Sequence, residues 1–257
     1  MFKSVLLLLV LSAGPLARAD QVGHDIARQH AERGGGKFRA MHSLYIEGRA
    51  LLGRDIVQVR TWAERPNRLR VESGGSERLA TQIYDGQHEP LMTHTDFEHG
   101  RPLRMSPAER ADFIANADFD GPLVDFSAKG YAVDFAGEER VLGQPAKKLL
   151  LMSAAGEVSF LWVDNESAEI VKRGVFRVSE DKRVLVETYF GDFRLVDGVS
   201  LPHRIETKVG DRTIYLMLLT HMEVNSAKVV AERFAVPEGW PTLSIEFKSQ
   251  AAPAAAH

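Results

Sequence analysis

The chain has 257 residues, with 32 Lys and Arg against 35 Asp and Glu and a formal net charge of −3. It contains no cysteine, which excludes disulfides, thiolate metal sites and cysteine nucleophiles together. Its basic residues are dispersed rather than clustered, a pattern that argues against nucleic acid as a partner.

The first residues carry an address. Met1-Phe2-Lys3 is a short positive start, Val5 to Leu11 is apolar, and Ala17-Arg18-Ala19 has the small-x-small form of a cleavage site. This predicts a signal peptide over residues 1–19, cleaved after Ala19. Its apolar stretch is roughly half the ~20 residues that a membrane helix needs. No cysteine follows the cleavage site, so lipid anchoring there is excluded and the exported product is expected to be soluble. Without Lys3 and Arg18 the basic residues fall from 32 to 30 against 35 acidic ones, a net charge of −5. No Pro/Ser-rich linker divides the remainder, so one domain is expected over residues 20–243. The Ala/Pro-rich end, residues 244–257, reads as a disordered tail.

Asp20 to Arg33 reads as a helix, with Val22, Ile26 and His30 on one stripe and Gly34-Gly35-Gly36 ending it. Strand-like segments follow at Ser43–Leu51, Asp55–Arg65, Arg68–Ser73, Leu79–Asp85 and Glu89–Thr95, separated by Gly, Pro-Asn and Asp-Gly turn signals. Ser106 and Glu109 then form a capping box with Pro107 at the first helical position. That predicts a helix to about Ala117, burying Ala111, Ile114 and Phe113. A second short helix is predicted from Pro122, carrying Leu123, Val124 and Phe126 and ending near Gly130. Strands resume at Tyr131–Glu138, Ala146–Ser153, Val158–Asp164, Glu169–Ser179, Arg183–Val196, Leu201–Val209 and Thr213–Val224. About a dozen strands at hairpin spacing predict a mainly β fold, one antiparallel meander with plugging helices.

Several of these strands do not alternate. Thr213 to Thr220 reads T-I-Y-L-M-L-L-T, with six apolar residues in a row, whereas a sheet with one wet face alternates apolar and polar. Leu149-Leu150-Leu151-Met152, Phe160-Leu161-Trp162-Val163 and Val184-Leu185-Val186 behave likewise. A tight core with a second layer would bury both faces. So would a hydrophobic cavity holding a lipid tail, since each buried methylene contributes about 0.8 kcal/mol and a sixteen-carbon chain roughly 12 kcal/mol before ordering costs. The candidate wall residues are Leu149, Leu151, Trp162, Val184, Val186, Ile214, Leu216 and Leu218, with the inward parity left open by the unknown register. Ile114, Leu123 and Phe126 would form a lid.

Chemistry is sparse. His88, Glu89, His94, Asp96, Glu98 and His99 form the densest polar cluster, but their spacing matches no standard zinc signature and reads as a strand end with a solvated loop. Zinc bound there would make a hydrolase, the weakest of the readings. Asp118 and Asp120 sit at a helix exit with no assignable base or nucleophile. No hydrolase, metalloprotease, phosphate-loop or dinucleotide motif occurs, so no catalytic residue, metal or cofactor is assigned.

Arg65-Pro66-Asn67 in T-W-A-E-R-P-N-R-L-R-V-E, followed by I-Y-D-G-Q at Ile83 to Gln87, resembles the LolA-like family of periplasmic lipoprotein carriers. So do D-F-R-L-V-D-G-V-S-L-P-H-R-I-E, Asp192 to Glu206, and M-E-V-N-S-A-K-V-V-A-E-R-F-A-V-P-E-G, ending at Gly239. The resemblance implies a curved, incomplete antiparallel barrel of about 11–12 strands, its mouth plugged by helices and acyl chains held inside. It implies a monomeric periplasmic carrier without cofactor, taking a lipid or acylated lipoprotein from an inner-membrane donor complex to a membrane acceptor. In the LolA carrier the arginine of the R-P-N motif bonds to the lid, and the matching residue is Arg65. The chain departs from that carrier at Arg68, Leu69, Arg70 and Val71, where the carrier has aromatic residues. A lipid-sensing regulatory module on the same scaffold is the alternative.

Overall fold

The computed structural model describes residues 15–52, 54–75, 79–94, 101–179 and 182–243. Most of the predicted signal peptide, the side chains of Asp96, Glu98 and His99, and the predicted tail lie outside these residues.

Helix α1 (Pro15–Glu32) begins upstream of the predicted start at Asp20. Gly34, Gly35 and Gly36 all have positive φ, so the chain reverses there into a single helical turn, α2 (Lys37–Ala40). The sheet then starts with β1 (Ser43–Leu52), β2 (Asp55–Glu64), β3 (Arg68–Gly74), β4 (Leu79–Tyr84), β5 (Leu91–His94) and the two-residue β6 (Leu103–Arg104). Helix α3 (Pro107–Ala117) interrupts it. Both capping-box bonds are present, Ser106 N–H to Glu109 Oε2 at 2.9 Å and Glu109 N–H to Ser106 Oγ at 3.4 Å. Phe113 and Ala117 are its buried residues, while Ala111, predicted inside, is exposed.

The helix predicted from Pro122 to Gly130 is absent; residues 122–130 form consecutive turns instead. Asp125 adopts φ 52° and Gly130 φ 77°, and a right-handed helix cannot continue through such residues. Apolar spacing at Leu123, Val124 and Phe126 mimicked a helix because successive turns also bury one side.

The second half comprises β7 (Ala132–Val141), β8 (Gln144–Met152), β9 (Val158–Asp164), β10 (Ile170–Ser179), β11 (Lys182–Val196), β12 (Val199–Val209) and β13 (Arg212–Val224). Among the described residues all thirteen strands form one antiparallel sheet, in the order β6-β5-β4-β3-β2-β1-β13-β12-β11-β10-β9-β8-β7. Each half is a run of hairpins. The last strand returns to pair with the first, as in Ala50 opposite Met217.

Helix α3 reveals how far this sheet curves. Phe113 packs with Leu69 of β3 and Tyr84 of β4, while Asp112 pairs with Arg177 of β10. Seven strand steps separate β4 from β10, ~34 Å along a flat sheet. An eleven-residue helix is only ~16 Å long, so the sheet must curl around it into an open, barrel-like trough. Helices α1, α2 and α3 lie on its inner face.

Two apolar clusters fill the ends of the trough. One joins α2, α3 and the end of α1 to β1–β4, β12 and β13, including Phe38, Met41, Phe113, Leu201 and Leu219. The other packs Ile26 and Ala27 of α1, with Leu123, on Val133, Leu149, Leu151, Leu161 and Val163. Gly23 permits this approach. A Cβ there would stand 2.9 Å from the Val133 carbonyl oxygen.

Candidate functional site

The inner face is closed at one end by polar contacts that hold the helices down. His30 of α1 is buried, and its Nδ1 donates to the Ala168 carbonyl at 2.8 Å. Its Nε2 then accepts from Arg33 Nη1 at 3.1 Å, so the ring is neutral. Burial, with Arg33 beside it, pushes the His30 pKa down to about 3. Arg33 Nε donates to Glu169 at 2.9 Å, and burial lowers the arginine's pKa and raises the carboxyl's. These bonds fasten α1 to the β9–β10 turn.

Arg65 makes the second fastening. Its guanidinium donates to the Phe38 carbonyl at 3.0 Å and the Arg39 carbonyl at 2.5 Å, while Nε reaches Asp120 at 2.8 Å. A residue at the end of β2 thus joins α2 to the segment after α3. The Arg65–Pro66 peptide is cis. Asp120 is therefore a partner of Arg65, and Asp118 pairs with Lys129 at 2.6 Å. Burial raises the Asp118 pKa despite that lysine. The two carboxylates serve separate ion pairs rather than one catalytic site.

The middle of the trough is only half-buried. Alternation and pairing put Val175, Val184, Val186, Phe190, Ile205, Val209, Tyr215 and Met217 on the inner face, where each is half-buried. Neither the first cluster nor the second includes Val175, Val184, Val186 or Val209. They form a half-buried apolar strip on β10–β12, between the helix-covered ends. Two hollows elsewhere are different features. A cleft of about 530 Å³ separates α1 from residues 123–128, and one of about 580 Å³ lies on the outer face around Glu47, Arg60 and Glu72.

The sequence-predicted wall residues separate in the structure. Val184 and Val186 lie half-buried on the inner face. Leu149 and Leu151 are on the inner face but wholly buried beneath α1, in packed core rather than open floor. Trp162, Leu216 and Leu218 lie on the outer face, a correction to the sequence expectation, while Ile214 stands at a register irregularity between β12 and β13. The reason is strand parity: Met217 and Leu219 point inward, leaving Leu218 47% exposed outside. Trp162 is satisfied outside by an indole N–H to Glu139 at 2.7 Å and by Lys172 4.2 Å above its ring. Of the lid residues, Leu123 and Phe126 pack in the second cluster and Ile114 against the first.

The His88–His99 stretch is only partly described. His88 Nδ1 lies 2.6 Å from Asp85 in a turn, and Glu89 pairs with Arg110 of α3 at 2.6 Å. Among the described residues no three His, Asp or Glu side chains are placed to share a metal ion. Sequence reasoning missed two inner-face arginines, Arg173 and Arg177. Their period-two spacing in I-V-K-R-G-V-F-R-V-S was the available signal, hidden by Lys172, which points outward.

No protein-family model matches the sequence, and no curated protein compared with it does. Solved structures do match in fold. A DUF1329 family protein from Desulfovibrio piger superposes with a TM-score of 0.58 at 12% identity, over 81% of this chain and 94% of that one. A LolA superfamily protein from Nitrosomonas europaea gives 0.55 at 13% identity, over 83% and 97%. A lipoprotein-sorting-type domain from Vibrio parahaemolyticus gives 0.56 at 10% identity, over 81% and 94%. The fold is LolA-like.

Proposed function

We propose, from this LolA-like fold and the groove it encloses, that the protein binds the acyl chain of a lipid or lipoprotein over the β10–β12 floor. The observation that carries the reading is the half-buried apolar strip of Val175, Val184, Val186 and Val209, which belongs to neither packed end. Exposed apolar surface of that kind is favourable to cover, by about 25 cal/mol per Å². One neighbour in fold is a lipoprotein-sorting-type domain, and the proposal carries that ligand class to this chain. In this reading the protein is a binding protein rather than an enzyme. It works as a monomer in the periplasm, receives cargo from an inner-membrane donor and releases it to a membrane acceptor. The Arg65–Asp120 and Arg33–Glu169 contacts are the fastenings that a helix-lid movement would break and remake.

Mass spectrometry of the protein purified from its own cells without detergent tests this. The native mass is expected to exceed the polypeptide mass by one lipid or acylated peptide, which organic extraction then releases. A bare polypeptide that also takes up no lipid from vesicles contradicts the proposal.

A further inference from the structure

One row of the groove floor is polar. Arg173 of β10 stands opposite Thr188 of β11, Thr188 opposite Thr207 of β12, and Thr207 opposite Tyr215 of β13. The row continues into Leu161 on one side and Leu52 on the other. Its four polar side chains share the inner face and span three strand steps, ~14 Å. The rows on either side are apolar across β10–β12: Val175, Val186 and Val209 on one, ending at Ser159 and Arg212, and Phe190, Ile205, Met217 and Ala50 on the other. All four polar residues are half-buried, so none is sealed in a packed cluster.

Arg173 is the unusual member. No hydrogen bond or ion pair to its guanidinium forms among the described residues, and the same holds for the Tyr215 hydroxyl. The surrounding charges are Asp112, Glu157, the Tyr131 phenol and Arg177, and Asp112 is already bonded to Arg177. Burial lowers the pKa of Arg173 and raises that of Tyr215 to about 12, as expected where water is partly withdrawn. A cation held in an apolar trough without a hydrogen-bonded counter-ion is costly to keep. Its planar fork of donors matches a carboxylate or phosphate bidentately. Beside it, the Thr188 and Thr207 hydroxyls lie 3.1 Å apart and bond only to each other, leaving donor and acceptor capacity towards the groove.

We propose that Arg173, with Thr188, Thr207 and Tyr215, receives the oxyanion of an acyl-bearing amphiphile whose chain lies along the adjoining apolar rows. This rests on reading the groove as an acyl site and adds the charge of the cargo: an acidic amphiphile, by its carboxylate or phosphate, rather than a neutral one. The strand register makes the assignment specific, since a shift of one residue would turn Arg173 to the outer face.

Displacement of a fluorescent acyl probe tests it, using palmitate, hexadecyl phosphate, hexadecanol and inorganic phosphate as competitors on the full chain. The two acidic amphiphiles are expected to bind at least about tenfold more tightly than hexadecanol. Arg173→Met should abolish that preference, and Arg173→Lys, which keeps the charge, should retain part of it. Circular dichroism verifies the fold of both variants, and the wild-type comparison stands without them. Equal binding of acidic and neutral amphiphiles overturns the oxyanion site but leaves the acyl groove. Failure of every amphiphile to bind overturns both. Inorganic phosphate competing as well as hexadecyl phosphate overturns the amphiphile assignment in favour of a free-anion site.

Discussion

His30 is 2% exposed, pinned by the Ala168 carbonyl 138 residues away in sequence, and neutral. Its unfolded form takes a proton near pH 6.5, whereas the folded form resists protonation until about 3. The folded state therefore binds fewer protons between those values, and stability falls as pH drops through that window. The slope for one such group is about 1.4 kcal/mol per pH unit. Denaturant unfolding between pH 7 and pH 4 is expected to show wild type losing more stability than His30→Gln by about that slope; equal pH dependence contradicts the neutral assignment. The sequence placed His30 on the buried stripe of its helix but gave no sign of its partner, since a backbone carbonyl leaves no residue-type signature. Arg65 was more legible, because Pro66 and Asn67 mark the strand end from which it reaches Phe38, Arg39 and Asp120.

Helix α1 depends on Gly23 at its closest approach to β7. A Cβ there would meet Val133 O at 2.9 Å and Phe135 N at 3.1 Å, both backbone atoms that cannot rotate away. Gly23→Ala should improve the helix's own propensity yet lift it from the sheet, with a net loss of about 1–3 kcal/mol in unfolding free energy. A neutral or stabilising result by chemical denaturation would mean that α1 is not seated as described. At this scale the sequence was informative wherever a local rule sufficed. The Ser106–Glu109 box fixed the start of α3, and turn residues set most strand ends within a residue or two. It failed at residues 122–130, where Asp125 takes a positive φ that its identity permits but does not demand.

Over the whole molecule, curvature makes the site. Among the described residues thirteen strands, curled until α3 touches both β4 and β10, leave the middle of the inner face half-buried between two packed ends. The sequence conveyed the sheet and its apolar excess but not which side of β13 faces inward, because Ile214 to Leu219 is apolar on both faces. Pairing with β1, irregular between Glu47 and Gly48, fixes that parity; it depends on contacts far apart in the chain. The groove account therefore predicts a face-specific result. Val186 lies half-buried on the floor and belongs to no packed cluster, whereas Leu218 is exposed on the outside. Uptake of a fluorescent acyl probe from vesicles should be at least about tenfold weaker in Val186→Asp, because a charge on the floor would have to be desolvated against the chain. Leu218→Asp should bind as wild type does, with both variants folded by circular dichroism. Equal uptake by the two variants, or loss only in Leu218→Asp, would contradict binding on the inner face.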